Sequence, residues 1–373
     1  MSIFKPYDIR GVYPTEINEK ILYRISRACA NYFGGENVLV GGDGRISTPK
    51  LKKAVISGLL EEGMNVYDLG IVSTSTFNFI ISSGKFDFGL QITASHNPKE
   101  FNGMKIYDSA GSSVGIGFGL ERIEEIFKGM SNKKNKKKGE YIDASEMKNR
   151  HKEFLEAQLE SFHEIISIDY SNGCGSIVFS DVIKGKIEAI EINKRIDGNF
   201  PSHPPEPTEE NLKELSRIVR EKRCAFGAAF DGDADRIVFL DEKGKIIRGD
   251  KILYLFSKFL KPKKVVYEVS FPPLFANLLK SMNIDGVESK VGRAFIINEM
   301  RKNNADIGGE ISSHFYFKTT NFMEDAFYTF LLMIKILKSG GKDLSQLLAD
   351  YISSPYETFK LIVSDEKKYQ IVE

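Results

Sequence analysis

The segment Thr93-Ala94-Ser95-His96-Asn97-Pro98 sets one hydroxyl beside one imidazole. The apolar run Phe88-Gly89-Leu90-Gln91-Ile92 leads into it and predicts a buried strand. Asn97-Pro98 closes that strand's path, because proline lacks an amide donor and restricts the residue before it. Ser95 therefore belongs at the mouth of a strand-to-loop turn, where scaffolds expose reactive groups, and is a candidate nucleophile. Taken alone, the segment reads more simply as a polar turn.

A second segment, Asp231-Gly232-Asp233-Ala234-Asp235-Arg236, shifts that balance. Three carboxylates alternate with small residues, so their oxygens can converge on one point. Hard oxygen donors in this number suit Mg²⁺ or Ca²⁺ rather than zinc. Counting twelve positions from Asp231 reaches Glu242, the length of an EF-hand loop, but the sixth position is Arg236, where that loop needs glycine. The flanks Ala225–Phe230 and Ile237–Leu240 predict strands rather than EF-hand helices. A bare hairpin tip with this charge density would repel itself, so a bound cation is the better reading. A third segment, Gly308-Gly309-Glu310-Ile311-Ser312-Ser313-His314, offers donors and acceptors of the kind that discriminate sugar hydroxyls. Alone it reads as a Gly- and Ser-marked loop.

Together and in this order, the three segments resemble the α-D-phosphohexomutases, in particular the phosphomannomutase/phosphoglucomutase branch. The opening Phe4-Lys5-Pro6-Tyr7-Asp8-Ile9-Arg10-Gly11 resembles that family's N-terminal signature, and Asn102-Gly103-Met104-Lys105 and Gly198-Asn199-Phe200-Pro201 fit between the segments. The resemblance covers nearly all of the chain. It implies an α/β protein of three consecutive mixed α/β domains of phosphohexomutase type around a central cleft. A fourth, C-terminal domain is expected to be absent or reduced to a stub, because the sequence stops at Glu373 without that domain's phosphate-gripping loop. A piece of a longer protein and a shortened protein would read alike.

The chemistry implied by the resemblance maps onto named residues. Phosphorylated Ser95 would pass its phosphoryl group to a hexose monophosphate, and the resulting hexose 1,6-bisphosphate would turn over and return its other phosphate. Asp231, Asp233, Asp235 and a Ser95 phosphate oxygen would hold Mg²⁺. Arg10, Lys105 and Arg236 would surround the moving group, with His96 or Lys105 handling the hydroxyl proton. Glu310 and Ser312 would read sugar hydroxyls, His314 would support them, and Tyr7, Gly292 and Arg293 would complete the substrate site. Ile311 resembles the apolar residue of the glucose/mannose branch rather than the polar residue of the hexosamine branch. Two positions depart from the family: Ser270 stands where lysine is frequent, and Arg293 where histidine is frequent. Arg293 is therefore expected to replace the lost phosphate-binding charge.

Composition agrees with an ordinary globular protein. At 373 residues the chain exceeds one compact core and predicts two or three domains. Hydrophobic residues make up 42% and charged residues 28%, within the globular range. A net charge of +1 gives no electrostatic case for nucleic acid or a membrane surface, and the resemblance implies small hexose phosphates as the partners. The longest apolar runs, such as Phe330-Leu331-Leu332-Met333-Ile334, are broken by lysine and cannot span a bilayer. No secretory leader is expected, since Lys5, Asp8 and Arg10 break the N-terminus. Three scattered cysteines, Cys29, Cys174 and Cys224, predict buried thiols in a reducing compartment, with the cytoplasm the expected address.

Strand and helix patterns alternate, as in α/β proteins. Val38–Val40 and Asn65–Tyr67 bracket a helix predicted from Pro49 to Glu62, with Thr48 as its cap and Pro49 in its first turn. The expected domains are 1–146, carrying the Ser95 loop; 147–246, carrying the metal loop; 247–353, carrying the sugar loop; and a stub at 354–373. The first boundary follows the run Lys133–Gly139, read as a solvated surface stretch, and precedes a helix expected around Phe154 to Phe162. The alternative to a mutase is a weakly active relative that binds sugar phosphates or a partner protein.

Overall fold

Short β-rich runs, most of them followed by a Gly-, Asn- or Pro-marked turn, build three sheets in succession. The computed structural model describes residues 3–130 and 138–352. The expected stub at 354–373 and nearly all of the lysine run before Gly139 lie outside the described residues.

The first sheet comprises β1 (Ile9–Val12), β2 (Asn37–Gly42), β3 (Asn65–Ile71), β4 (Phe88–Ile92), β5 (Phe101–Asp108) and β6 (Tyr141–Asp143), in the order β1-β5-β4-β2-β3-β6. The second comprises β7 (Phe162–Asp169), β8 (Ile187–Ile192), β9 (Gly227–Phe230), β10 (Ile237–Leu240) and β11 (Ile246–Ile247), in the order β11-β10-β9-β7-β8. The third comprises β12 (Lys264–Glu268), β13 (Asp285–Ser289), β14 (Ile307–Gly309), β15 (Phe315–Phe317) and β16 (Met323–Glu324), in the order β13-β12-β14-β15-β16. Each sheet has a parallel core with antiparallel strands added along one side. The described units are thus mixed α/β domains, as the motif order implied.

Two local expectations need correction. The helix Thr48–Glu61 has Ser47 at its N-cap, and Thr48 is its first helical residue; the Thr48 hydroxyl donates to Asp43 Oδ1 at 2.6 Å. Its Leu51, Val55 and Leu59 are buried, at helical spacing. The helix expected around Phe154 to Phe162 is Lys148–Gln158, and Phe162 opens β7. The Ile165-Ile166 pair and Ile168 that follow favour a pleated surface, which tertiary packing turns into a strand.

The domains share core. The helix Ala326–Gly340 is buried on nearly every face: it begins in the third domain, with Asp325 as N-cap accepting from the Phe327 and Tyr328 amides, and packs on the second. Phe327 stacks on Phe179 at 4.9 Å and meets the Phe230 edge at 5.3 Å. Each such burial contributes roughly 1.5–3 kcal/mol. A second shared cluster joins Leu39, Phe77 and Tyr107 of the first domain to Val266, Ile296 and Tyr316 of the third. These contacts fix the relative placement of the loops that follow. Cys29, Cys174 and Cys224 are free and buried. Among the described residues, no helix is long and apolar enough to cross a membrane.

Candidate active site

In every sheet, one strand pair marks the change from parallel to antiparallel pairing, and the loop spanning that change is one of the three segments picked out above. Residues 93–100 join β4 to β5, residues 231–236 join β9 to β10, and residues 310–314 join β14 to β15. Each leaves the carboxyl end of a parallel strand, where α/β sheets bind ligands. The three loops converge.

Ser95 is buried, with φ +49°, a left-handed backbone that costs a non-glycine residue about 1–3 kcal/mol and recurs at functional sites. Its amide donates to Thr93 Oγ1 at 2.9 Å. Its hydroxyl donates to Asp231 Oδ2 at 2.8 Å and lies 3.2 Å from His96 Nδ1. Burial, with help from Arg236 and Arg10, pushes His96 down to about 2, so its ring is neutral. A residue that the motif reading missed holds this strained loop. Arg45, only 1% exposed and paired with Asp43, gives its guanidinium to the carbonyls of Ser95, Asn97, Pro98 and Phe101. Its one sequence signal is an Asp43-Gly44-Arg45 charge pair placed directly after an apolar strand.

The aspartate loop 231–236 is buried too, and its three carboxylates offer ligand atoms within 4.8 Å of one another. Asp231 Oδ1 accepts the Asp235 and Arg236 amides, which shapes the turn. Lys105 Nζ bridges Asp233 Oδ2 at 2.7 Å and Asp235 Oδ2 at 2.5 Å. Asp233 Oδ1 is buried with no hydrogen-bond partner, and Asp235 Oδ1 faces only His314 Nε2, at 3.3 Å. An orphaned oxygen such as Asp233 Oδ1 is costly unless a cation meets it, so the donor set fits a hard divalent ion. Burial and the neighbouring Asp235 and Asp233 push Asp231 well above the usual carboxylate range. Burial acts on Asp235 in the same sense, but Lys105 and His314 outweigh it and hold Asp235 well below that range. The same two aspartates hold Lys105 protonated, overcoming its own burial.

His314 links the second and third domains, with Nε2 3.3 Å from Asp235 Oδ1 and Nδ1 2.8 Å from Ser312 Oγ. Ser312 also reaches Glu310 Oε2 at 3.3 Å, and Tyr316 donates to Glu310 Oε1. Arg236 Nε lies 3.4 Å from His314 Nε2, so this cation faces both loops. Arg10 pairs with Asp8 at 2.7 Å and donates to Asn97 Oδ1 at 2.6 Å, beside the Ser95 turn. Tyr7 crosses from the first domain to the third, donating to the Val291 carbonyl at 3.2 Å. A Cβ on Gly292 would stand 2.4 Å from the Tyr7 ring, and its φ of +117° also calls for glycine. Glu268, another residue that sequence reasoning missed, sits behind this loop: it accepts from the Ile311 amide at 2.9 Å and from Ser270 Oγ at 2.5 Å.

Arg293 does not take the role expected of it. Its guanidinium is buried, ion-paired with the fully buried Glu324, and placed near Tyr107 Oη at 3.3 Å and Asn78 Oδ1 at 3.4 Å. It ties the first domain to the third beneath the site rather than facing a phosphate. A guanidinium has the same appearance in sequence whichever anion it meets. The segment Gly111-Ser112-Ser113-Val114-Gly115 has the spacing of a hydrolase nucleophile elbow. Ser113, however, is buried and bridges to Tyr107 beside the first sheet, with no strand-to-helix turn to expose it.

Comparison with known proteins matches the same architecture. Residues 1–134, 140–244 and 248–354 match, in turn, the models described as phosphoglucomutase/phosphomannomutase alpha/beta/alpha domains I, II and III. The chain is 31% identical over 379 residues to the phosphomannomutase of Methanocaldococcus jannaschii, covering 98% of this chain and 83% of that one. It is 33% identical over 375 residues to a probable phosphoglucosamine mutase of Methanopyrus kandleri, covering 98% and 82%. A crystal structure of a phosphoglucomutase/phosphomannomutase family protein from Burkholderia thailandensis superposes with a TM-score of 0.86 at 28% identity, covering 95% of this chain and 81% of that one.

Proposed function

The chain belongs to the phosphoglucomutase/phosphomannomutase family and is a hexose-phosphate mutase, and on that premise we propose that it moves phosphate between O1 and O6 of mannose or glucose through phosphorylated Ser95. The observation that carries this reading is the Ser95 hydroxyl, 2.8 Å from Asp231 in a carboxylate cluster that leaves the buried Asp233 Oδ1 without a partner. A protein that only bound sugar phosphates would have no use for a strained hydroxyl at such a place.

Asp231, Asp233 and Asp235, with an oxygen on Ser95, would hold Mg²⁺. The ion would supply positive charge to the phosphoryl group in transit. Arg10 and Arg236 flank the same point and add fixed positive charge, the kind of preorganised stabilisation that a loose phosphoryl-transfer transition state needs. As the P–O bond to the sugar hydroxyl forms, the bond to Ser95 breaks, and the proton released by the sugar hydroxyl ends on the Ser95 oxygen. His96 Nδ1 lies 3.2 Å from Ser95 Oγ, within reach of that proton, but the burial and arginines that keep its ring neutral make it a weak base, and Lys105 is protonated and engaged by two carboxylates. The bisphosphate formed would turn over in the cleft and hand its second phosphate back. Glu310, Ser312 and His314 would read the sugar hydroxyls, with Tyr7 and Gly292 closing the rim. Ile311 supports mannose or glucose over a hexosamine. Buried free thiols and near-zero net charge support a cytoplasmic enzyme acting on small molecules, with neither nucleic acid nor membrane as partner.

The test is ³¹P NMR of the protein with mannose 1-phosphate, glucose 1-phosphate or glucosamine 1-phosphate, each with Mg²⁺ and trace glucose 1,6-bisphosphate. Growth of the 6-phosphate signal from the first two supports the proposal. Conversion of glucosamine 1-phosphate alone would contradict the sugar assignment.

A further inference from the structure

Three donors from the first domain meet one oxygen of the second domain's loop. Asp233 Oδ2 accepts from Lys105 Nζ at 2.7 Å, from Thr74 Oγ1 at 2.8 Å and from Thr93 Oγ1 at 3.0 Å. Its other oxygen, Oδ1, is equally buried and has no hydrogen-bond partner. Three donors on one oxygen and none on the other is an asymmetry that sets the carboxylate's rotation.

Thr74 lies outside the three loops, at the start of the helix Thr74–Ile81, and it is itself tightly held. Its amide donates to the Asp233 carbonyl at 2.7 Å, so the same residue grips both ends of Asp233. Ser75 Oγ donates to the Ala234 carbonyl at 2.7 Å and accepts the Ala326 amide at 3.0 Å. Thr76 Oγ1 lies 3.0 Å from His151 Nδ1, whose Nε2 meets Asp325 Oδ2 at 2.8 Å. One helical turn thus fastens residues of all three domains. Thr74 has a single hydroxyl proton and two acceptors, Asp233 Oδ2 and, at 2.9 Å, Gln91 Oε1. The charged acceptor makes the stronger bond, and Lys105 Nζ, 3.3 Å away, takes the hydroxyl's lone pair.

We infer that Thr74 is a positioning residue for the metal site: its hydroxyl, with Thr93 and Lys105, occupies Asp233 Oδ2 and so turns Oδ1 toward the ion. The inference rests on the proposal that the aspartate loop holds a divalent cation. Partners behind metal ligands of this kind typically carry 10–100-fold in metal affinity. They act by orientation, so the effect should appear in metal binding before any sugar is present.

The test is titration of the full chain with Mn²⁺ alone, followed by the loss of the free-ion EPR signal. Thr74→Val, which keeps the side chain's shape, should weaken Mn²⁺ binding about 10-fold or more, and Thr74→Ser, which keeps the hydroxyl, should restore it. Thr76→Val removes a hydroxyl from the same turn on the His151 side; it should lower the melting temperature and leave Mn²⁺ affinity unchanged. If Thr74→Val does not fold, Thr74→Ala reads the same loss without the buried methyl. Wild-type affinity in a folded Thr74→Val or Thr74→Ala, or an equal loss in Thr76→Val, overturns the inference and leaves the metal assignment standing. A wild-type chain that binds no Mn²⁺ removes the metal assignment and the inference with it.

Discussion

Arg45 donates to the carbonyl oxygen of Ser95 at 2.8 Å, so a buried cation grips the main chain of the residue proposed to carry the phosphoryl group. The same guanidinium holds three further carbonyls of that loop, at Asn97, Pro98 and Phe101, and lies 5.2 Å from the Phe200 ring of the second domain. The left-handed turn at Ser95 persists because this fork over-determines it.

Arg45→Ala should therefore cost about 3–5 kcal/mol, the range for breaking a buried ion pair from one side, since Asp43 and four carbonyls lose their partner. Arg45→Lys should recover little, because an ammonium cannot span four acceptors in one plane. Urea unfolding measures the loss. A wild-type midpoint in Arg45→Ala would show that the loop holds itself.

Arg293→Ala should act on stability and not on ligand affinity. Glu324 would be left buried and unpaired, again at a cost of about 3–5 kcal/mol. Isothermal titration of the folded variant with glucose 1-phosphate should give the wild-type affinity. A large loss of affinity with unchanged stability would return Arg293 to the substrate site.

The sequence made the candidate reacting groups legible where chemistry itself constrains composition. Ser95 stood out because an apolar strand and Asn97-Pro98 frame it, and the metal loop because three carboxylates so close together need a cation. Arg45 was not legible, because its partners are main-chain carbonyls, which any residue supplies. Arg293 was misread because its partner, Glu324, lies 31 positions away on a strand of two residues. The shared position of the three site loops, each at the change from parallel to antiparallel pairing, leaves no short period in the sequence; backbone pairing encodes it, and side-chain identity does not.

His203 offers a pH signature from a group that the proposed chemistry does not use. Its Nε2 lies 3.0 Å from Asp169 Oδ2 and its Nδ1 2.7 Å from the Pro204 carbonyl, so both ring nitrogens face acceptors. Burial pulls this imidazole down, but the bond and charge of Asp169 prevail, with the Pro204 carbonyl and Glu214 acting in the same sense, and its pKa is raised above 6.5. A raised folded value means that the contribution is complete below about pH 6.5 and is lost as pH rises through the folded pKa. Urea midpoints should therefore fall on the alkaline side of neutrality, and His203→Gln should flatten that part of the profile. An unchanged profile in the variant would assign the slope to another group.

Removal of divalent ions should stop phosphoryl transfer. Mg²⁺ should restore it better than Ca²⁺, whose larger shell fits a compact three-aspartate turn less well. Steady-state rates after chelation and re-addition decide this. Equal or better rescue by Ca²⁺ would contradict the Mg²⁺ assignment.

The central claim is that Ser95 carries the phosphoryl group. Intact-mass spectrometry of the protein after incubation with glucose 1,6-bisphosphate and Mg²⁺ tests it most directly. The wild type should gain the mass of one phosphoryl group, localised by fragmentation to Ser95, and folded Ser95→Ala should gain none. A phosphoryl group on Ser95→Ala, or on any other residue of the wild type, would contradict the account.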